Sequence, residues 1–255
     1  MHTVGAHIAL DVTVQGELSD TGYLLDIKVI DRAVRDAVLP LLQAAYRESF
    51  AGEPASSPTF VPTPVPALTP SPIIDRCATA LDASLRSVAN NALLASLRWH
   101  LSPMLSLEFV MANPQSVSMR QRFDFAAAHR LNMPNLSEEQ NRALFGKCNN
   151  PRGHGHNYQF EPCVQVPVGG LALPLHEFEA IVSRVLLDRF DHKHLNEDTV
   201  EFDVDRGGLN PSVENIAKTF YDLLAPELVS RYPAVQLASI TVWETDRTSA
   251  TYPGA

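Results

Sequence analysis

The sequence predicts an α+β protein, with strands and helices in both halves of the chain. Three observations carry this. Residues 8–27, IALDVTVQGELSDTGYLLDI, set Ile8, Leu10, Val12 and Val14 against polar neighbours, the period-two pattern of a half-buried strand. A helical spacing follows from about Val29, with Ala33, Val34 and Ala37 on one face and Pro40 disturbing its later part. The segments QRFDFAAAHRL (121–131) and GKCNNPRGHGHNYQF (146–160) again read as strands.

The elements follow in order. Ser19-Asp20-Thr21-Gly22 supplies the turn of a hairpin. The stretch GEPASSPTFVPTPVPALTPSP (52–72) has the composition of a linker but reads better as an insertion between two helices. Ser87-Val88-Ala89-Asn90 reads as a helix start, with Ser87 as N-cap. Leu105–Met119 reads as one closing strand. The second half repeats these signals: Ser212-Val213-Glu214-Asn215 mirrors 87–90, and Ser239–Tyr252 mirrors 105–119. Residues 1–119 therefore read as a degenerate copy of 120–255 that lacks its first strand. With the hairpins aligned, TVGAHI (3–8) lies opposite GHGHNY (153–158). Val4 then replaces His154, Ala6 replaces His156, His7 takes the place of Asn157, and Ala112 stands where the second copy has Glu244.

The chemistry gathers in that second copy. In His154-Gly155-His156 the two imidazoles are two residues apart, so on a strand they share a face. His129, on a neighbouring strand, completes a three-nitrogen set. Three neutral imidazoles with one open position are the pattern of a catalytic zinc rather than a structural one. Cys148 lies six residues before His154, close enough for a loop to carry its thiol to the same pocket.

The motifs F-x-A-A-H, L-F-G-K-C-N-N-P-x-G-H-G-H-N-Y, L-D-H-K-x-L-N (187–196), S-x-E-N-x-A (212–217) and E-T-D (244–246) occur in that order. In order and spacing they closely resemble the 6-pyruvoyl-tetrahydropterin synthase family, which includes the 6-carboxy-tetrahydropterin synthases of queuosine (7-deazaguanine) biosynthesis. The resemblance implies two tandem tunnelling-fold units. Each would be an antiparallel four-stranded sheet with two helices on one face. It implies a homo-oligomer with sites at subunit interfaces and a pterin triphosphate substrate, the products being 6-pyruvoyl-tetrahydropterin and triphosphate. It implies one Zn2+ per chain on His129, His154 and His156, polarising substrate hydroxyls. Cys148 would be the base, with Asp191 and His192 completing the catalytic group. Glu244 would anchor the pterin through its 2-amino group and ring N–H, with Thr245 assisting and Glu214 a weaker candidate. The five residues between Cys148 and His154 favour the pyruvoyl enzyme over the 6-carboxy one, and a pterin-binding or assembly protein without turnover is the third reading.

Composition narrows the setting. The 255 residues, 45% of them hydrophobic, suffice for one large or two small domains, and no apolar run approaches the length of a membrane span. The opening residues MHTVGAHIALDVTVQGELSD lack the basic start of a signal peptide. Three cysteines suggest no disulfide framework, so the expected location is the reducing cytoplasm. A net charge of −9 disfavours nucleic acid as a partner. It also sits awkwardly with an anionic substrate, which needs a local basic patch. Arg130, Lys147, Arg152 and Lys193 each lie within two residues of a motif residue. Lys147 and Arg152 are the expected phosphate contacts.

Overall fold

The computed structural model describes residues 9–50, 70–89, 92–169 and 173–254. Val4, Ala6, His7 and Ile8 lie outside these residues, as do 52–69 of the Pro-rich stretch. The chain divides into two compact units, residues 1–119 with 165–175, and residues 120–164 with 176–255.

In the first unit, β1 (Ala9–Gly16) leads to a turn in which Ser19 O accepts from Gly22 N–H at 2.8 Å and Gly22 takes a φ of 77°. The expected turn is present, but no strand follows it. Instead Asp26 caps a helix, accepting from Lys28 N–H at 2.9 Å. This helix, α1 (27–50), contains a π-turn at Val34–Val38 just before Pro40. Proline has no N–H and its ring crowds the preceding turn, so a widened turn there lets the helix continue. Next comes α2 (Pro70–Val88), then β2 (Ala92–Ser102) and β3 (Leu105–Val110), and β2 pairs antiparallel with both β1 and β3. Ile74, Cys77, Ala78, Leu81 and Leu85 of α2 are buried, as are Leu94, Leu97 and Trp99 of β2. Asp82 ties the helix to the strand by accepting from Leu94 N–H at 3.2 Å.

Three expectations are corrected here. Ser87 does not cap a helix start: it lies in the last turn of α2, and its hydroxyl donates back to Ser84 O at 2.7 Å. The helix begins instead at Pro70, since proline is tolerated in a first turn where its missing N–H has no partner to lose. Residues 105–119 are not one strand. β3 ends at Val110, a turn follows in which Asn113 N–H bonds Val110 O, and β4 (Ser116–Gln121) begins anew. Ala112 therefore lies beyond the hairpin and is no counterpart of Glu244.

The second unit continues with β5 (Phe123–His129), α3 (Glu138–Phe145), β6 (His154–Pro167), α4 (175–190), the two-residue β7 (Lys193–His194), α5 (Val213–Arg231), β8 (Gln236–Thr245) and β9 (Thr248–Tyr252). β6 lies between β5 and β8, β8 pairs with β9, and β7 joins the free edge of β5 in parallel. Ser212 caps α5 as expected, accepting from Asn215 N–H. Phe220 of α5 lies 5.3 Å from Phe125, 5.1 Å from Phe160 and 5.0 Å from Phe190, ring centre to ring centre. Phe125 in turn stacks on Tyr158 at 4.8 Å. These interlocked rings are buried and give the strands beneath the histidines a rigid backing.

In each unit a 19-residue helix is followed by a β-hairpin. α2 and α5 both run 19 residues, and residue n of the first matches residue n + 143 of the second. The same offset superposes β2–β3 on β8–β9. Leu94, Leu97 and Trp99 fall on Leu237, Ile240 and Val242, all buried. Both hairpins carry a register shift at the end of the first strand, between His100 and Ser102 and between Trp243 and Thr245. Leu101 is thus the position matching Glu244, and Cys77 matches Phe220. α4 carries a π-turn at Ser183–Leu187, in the same part of the helix as that of α1.

Candidate metal centre and active site

The β5–β6 register sets His129 opposite His154, Ala127 opposite His156 and Phe125 opposite Tyr158. Side chains alternate across a strand, so the three histidines and Tyr158 share the face that leads into the aromatic core. Gly153 is the pivot that admits this register. Its φ is 68°, and a Cβ there would stand 2.7 Å from His194 Nε2 and 2.9 Å from His129 O, so only glycine fits.

His129 is fully buried, and its Nδ1 donates to Pro211 O at 2.7 Å. A carbonyl only accepts, so this bond places a proton on Nδ1 and turns Nε2 toward the other histidines. Nε2 of His129 lies 3.1 Å from Nε2 of His154 and 3.3 Å from Oε1 of Glu244, and Nε2 of His156 lies 3.5 Å from that same oxygen. One ligand atom from each of the four residues falls within 4.8 Å of all the others. His154 Nδ1 and His156 Nε2 are buried without a hydrogen-bond partner among the described residues. Burial, then the adjacent His129 and His156, lowers the proton affinity of His154, and burial lowers that of His156 although the charge of Glu244 opposes it. Neutral, unsatisfied imidazoles converging beside a carboxylate fit a divalent cation. Two nitrogens each about 2.0–2.1 Å from a tetrahedral zinc lie about 3.3 Å apart, close to the spacing seen here. The interaction with His129, reinforced by the charges of His156 and then His154, holds the carboxyl of Glu244 below its ordinary range against the burial that opposes it.

Cys148 is half-buried in the short helical turn Gly146–Asn149, and its carbonyl accepts from Leu131 N–H at 2.9 Å. Cys148 interacts electrostatically with Tyr158, the tyrosine that shares the histidines' face. Burial first, then the charge of Glu244, raises Tyr158 well above the ordinary phenol range, so the hydroxyl stays a neutral donor. Asp191 and His192 stand on the opposite edge of β5. Asp191 Oδ1 accepts from Ala126 N–H at 2.8 Å, Oδ2 lies 2.8 Å from His192 Nδ1, and His192 N–H bonds Ala126 O at 2.6 Å. Burial disfavours the charge on Asp191, but the bonds from Ala126 and His192 prevail and keep its carboxyl below the usual range. His192 takes a φ of 57° and its side chain is 82% exposed. It shares with His156 the lining of an open cleft of about 540 Å³, along with Ala126, Gly155, Asn157 and Lys193.

The structure thus groups His129, His154, His156 and Glu244, and puts His192 on the cleft that His156 also lines, while Cys148 interacts with Tyr158. No hydrogen bond joins Cys148 to His192 among the described residues. Thr245 is exposed and its hydroxyl accepts from Arg247 N–H at 3.2 Å, closing the β8–β9 turn. Glu214 is exposed in the first turn of α5, where the helix dipole accounts for an acid. Lys147 and Arg152 are exposed, whereas Arg130 is half-buried and donates to Asn149 O at 3.2 Å.

Sequence reasoning missed the residues that hold these groups in place. Asn149 Nδ2 donates to Leu131 O and Asn132 Oδ1, Asn196 bonds both the N–H and the C=O of Arg130, and Asn215 Nδ2 donates to Asn210 O. All three stand inside the quoted motifs, but spacing alone gives an asparagine no role. Tyr158 carried no signal beyond its place in H-G-H-N-Y.

A family model described as 6-pyruvoyl tetrahydropterin synthase matches residues 118–255. The chain belongs to the 6-pyruvoyl tetrahydropterin synthase family. Among its curated relatives, the protein named 6-pyruvoyl tetrahydrobiopterin synthase from Homo sapiens is 35% identical over 137 residues, 52% of this chain and 89% of the relative. The protein of the same name from Poecilia reticulata is 35% identical over 133 residues, 51% of this chain and 85% of the relative. A solved structure of the Caenorhabditis elegans 6-pyruvoyl tetrahydropterin synthase shares 33% identity, covering 55% of this chain and 96% of the other, with a TM-score of 0.49. Among the described residues no helix is long and apolar enough to cross a membrane.

Proposed function

We propose that the chain is a zinc-dependent 6-pyruvoyl-tetrahydropterin synthase. It would convert dihydroneopterin triphosphate to 6-pyruvoyl-tetrahydropterin with loss of triphosphate. The observation that carries this reading is the convergence of His129, His154 and His156 beside Glu244, with Nε2 of His129 turned inward by the bond to Pro211. Zinc, one per chain, would supply Lewis acidity toward the hydroxyls of the substrate side chain. Cys148 removes the proton from a carbon bearing a hydroxyl. The Asp191 carboxylate fixes the His192 ring through Nδ1, so the other ring nitrogen is free to exchange a proton at the cleft. Glu244 accepts from the 2-amino group and neighbouring ring N–H of the pterin, a bidentate geometry other side chains copy poorly. Lys147 and Arg152 offer exposed cations to the triphosphate. The exposed His192 fits a site completed at a subunit interface of a homo-oligomer.

The first unit belongs to the same proposal, as a copy that has kept packing and shed chemistry. Leu101 stands where Glu244 would be, and Cys77 where the aromatic cluster has Phe220. Incubation of pure protein with dihydroneopterin triphosphate, followed by mass spectrometry of the pterin, tests the reading. The 6-pyruvoyl product with released triphosphate is expected. A 6-carboxy product would assign the chain to the queuosine-pathway activity, and unchanged pterin bound to zinc-loaded protein would make it a binding protein.

A further inference from the structure

We infer that Asn196 is a positioning residue for both parts of the proposed catalytic group: its side-chain amide fastens the His192 segment to Arg130–Leu131, the stretch of backbone that also carries the Cys148 turn. This rests on the proposed synthase reading. The strand β7 is two residues long, and it follows His192, whose φ of 57° is a left-handed conformation that is costly for a residue with a Cβ. Such a conformation persists where the chain is held on both sides of it. Before it, Asp191 Oδ1 accepts from Ala126 N–H at 2.8 Å. After it, Lys193 and His194 pair with Ala127 and Ala128 on the edge of β5. The backbone then turns away into the short helix Leu195–Asp198.

Where the backbone leaves, the side chain of Asn196 continues the pairing. Its Oδ1 accepts from Arg130 N–H at 2.7 Å, and its Nδ2 donates to Arg130 O at 3.0 Å. A primary amide holds an acceptor and a donor side by side, so it reproduces both bonds of a strand partner and adds one rung to the β5–β7 ladder. The same stretch of β5 exit supports the turn that bears the thiol. Leu131 N–H donates to Cys148 O at 2.9 Å, Arg130 Nε donates to Asn149 O at 3.2 Å, and Asn149 Nδ2 donates to Leu131 O at 2.8 Å. Asn196 is therefore the far anchor of the segment that keeps His192 in its left-handed conformation, and a lateral support of the backbone from which Cys148 hangs. It acts through Arg130 and Leu131 rather than on the substrate.

The test compares wild type with Asn196→Ala, Asn196→Asp and Thr199→Val, measuring kcat, KM and the rate at which iodoacetamide alkylates Cys148, read by mass spectrometry. Aspartate keeps the acceptor for Arg130 N–H and loses the donor to Arg130 O. Thr199 is the control: its hydroxyl donates to Leu195 O at 2.6 Å, a buried bond in the same segment that leaves Arg130 untouched. In Asn196→Ala, kcat should fall at least about tenfold with KM within about twofold, because reacting groups lose orientation while binding groups stay. Alkylation of Cys148 should quicken at least about threefold as its turn loosens. Asn196→Asp should change in the same directions by less, and it carries the comparison should the alanine variant fail to fold. Thr199→Val should match wild type in both measurements. Unchanged alkylation or unchanged kcat in the Asn196 variants would overturn the role, as would equal changes in Thr199→Val, which would mark general loosening. Failure of the synthase reading would appear separately, as a wild type without turnover, and the alkylation rates alone would then decide the role of Asn196.

Discussion

At the scale of single residues, the proposed function divides the site into ligands, base and supports. Cys148 belongs to the loop rather than to the metal cluster, so its loss should spare both zinc and pterin. Cys148→Ala is expected to retain metal and ligand while turnover falls roughly 10²-fold or more, the usual effect of removing a general base. Metal analysis, pterin binding and rate measured on one preparation decide it, and an unchanged rate would remove the thiol from the mechanism. Asn149 acts one step further out. It is buried, and its amide satisfies Leu131 O and Asn132 Oδ1 beneath the Cys148 turn. Asn149→Ala should lower unfolding free energy by about 1–3 kcal/mol, the scale of a buried acceptor left unpaired. Chemical denaturation with an unshifted midpoint would show that water replaces the amide. The histidines were legible because period two and a neighbouring strand leave few other arrangements. The asparagines were not, because their partners are mostly backbone groups in loops, which leave no pattern in the sequence.

At the scale of elements, α2 shows where patterning misled and why. Its apolar residues Ile74, Ala78, Leu81 and Leu85 recur at helical spacing, yet the helix opens inside a Pro-rich stretch and ends at a Ser-Val-x-Asn that imitates the cap of α5. β2 was hidden for a different reason. Its pairing with β1 skips a residue, so the buried set passes from Leu94 to Leu97 and the alternation breaks. Cys77 reports on the docking of α2. Burial raises its thiol to about 11, with Arg76 opposing. In the folded protein it should resist iodoacetamide at pH 8 and react only on unfolding. The folded value lies above that of an unfolded thiol, near 8.5, so the contribution of Cys77 to stability is complete below pH 8.5 and is lost as pH rises toward 11. Rapid alkylation of Cys77 in native protein at pH 8 would mean that α2 opens readily.

At the scale of the molecule, the proposal is one chain with two units of one design and, among the described residues, one reactive centre. The matching helix lengths, hairpin irregularities and buried positions at a constant offset of 143 support a common design. Leu101, which that offset aligns with Glu244, supports the loss of chemistry from one of them. The sequence suggests such a repeat through its recurring signals. The offset of 143 differs from the register read there, since insertions and bulges displace the pattern. Metal analysis of the purified protein, beside His154→Ala, decides between one centre and two. About one zinc per chain is expected in wild type and little in the variant, because the remaining ligands cannot complete the site. Two tightly held zinc ions per chain, or an undiminished content in His154→Ala, would contradict it.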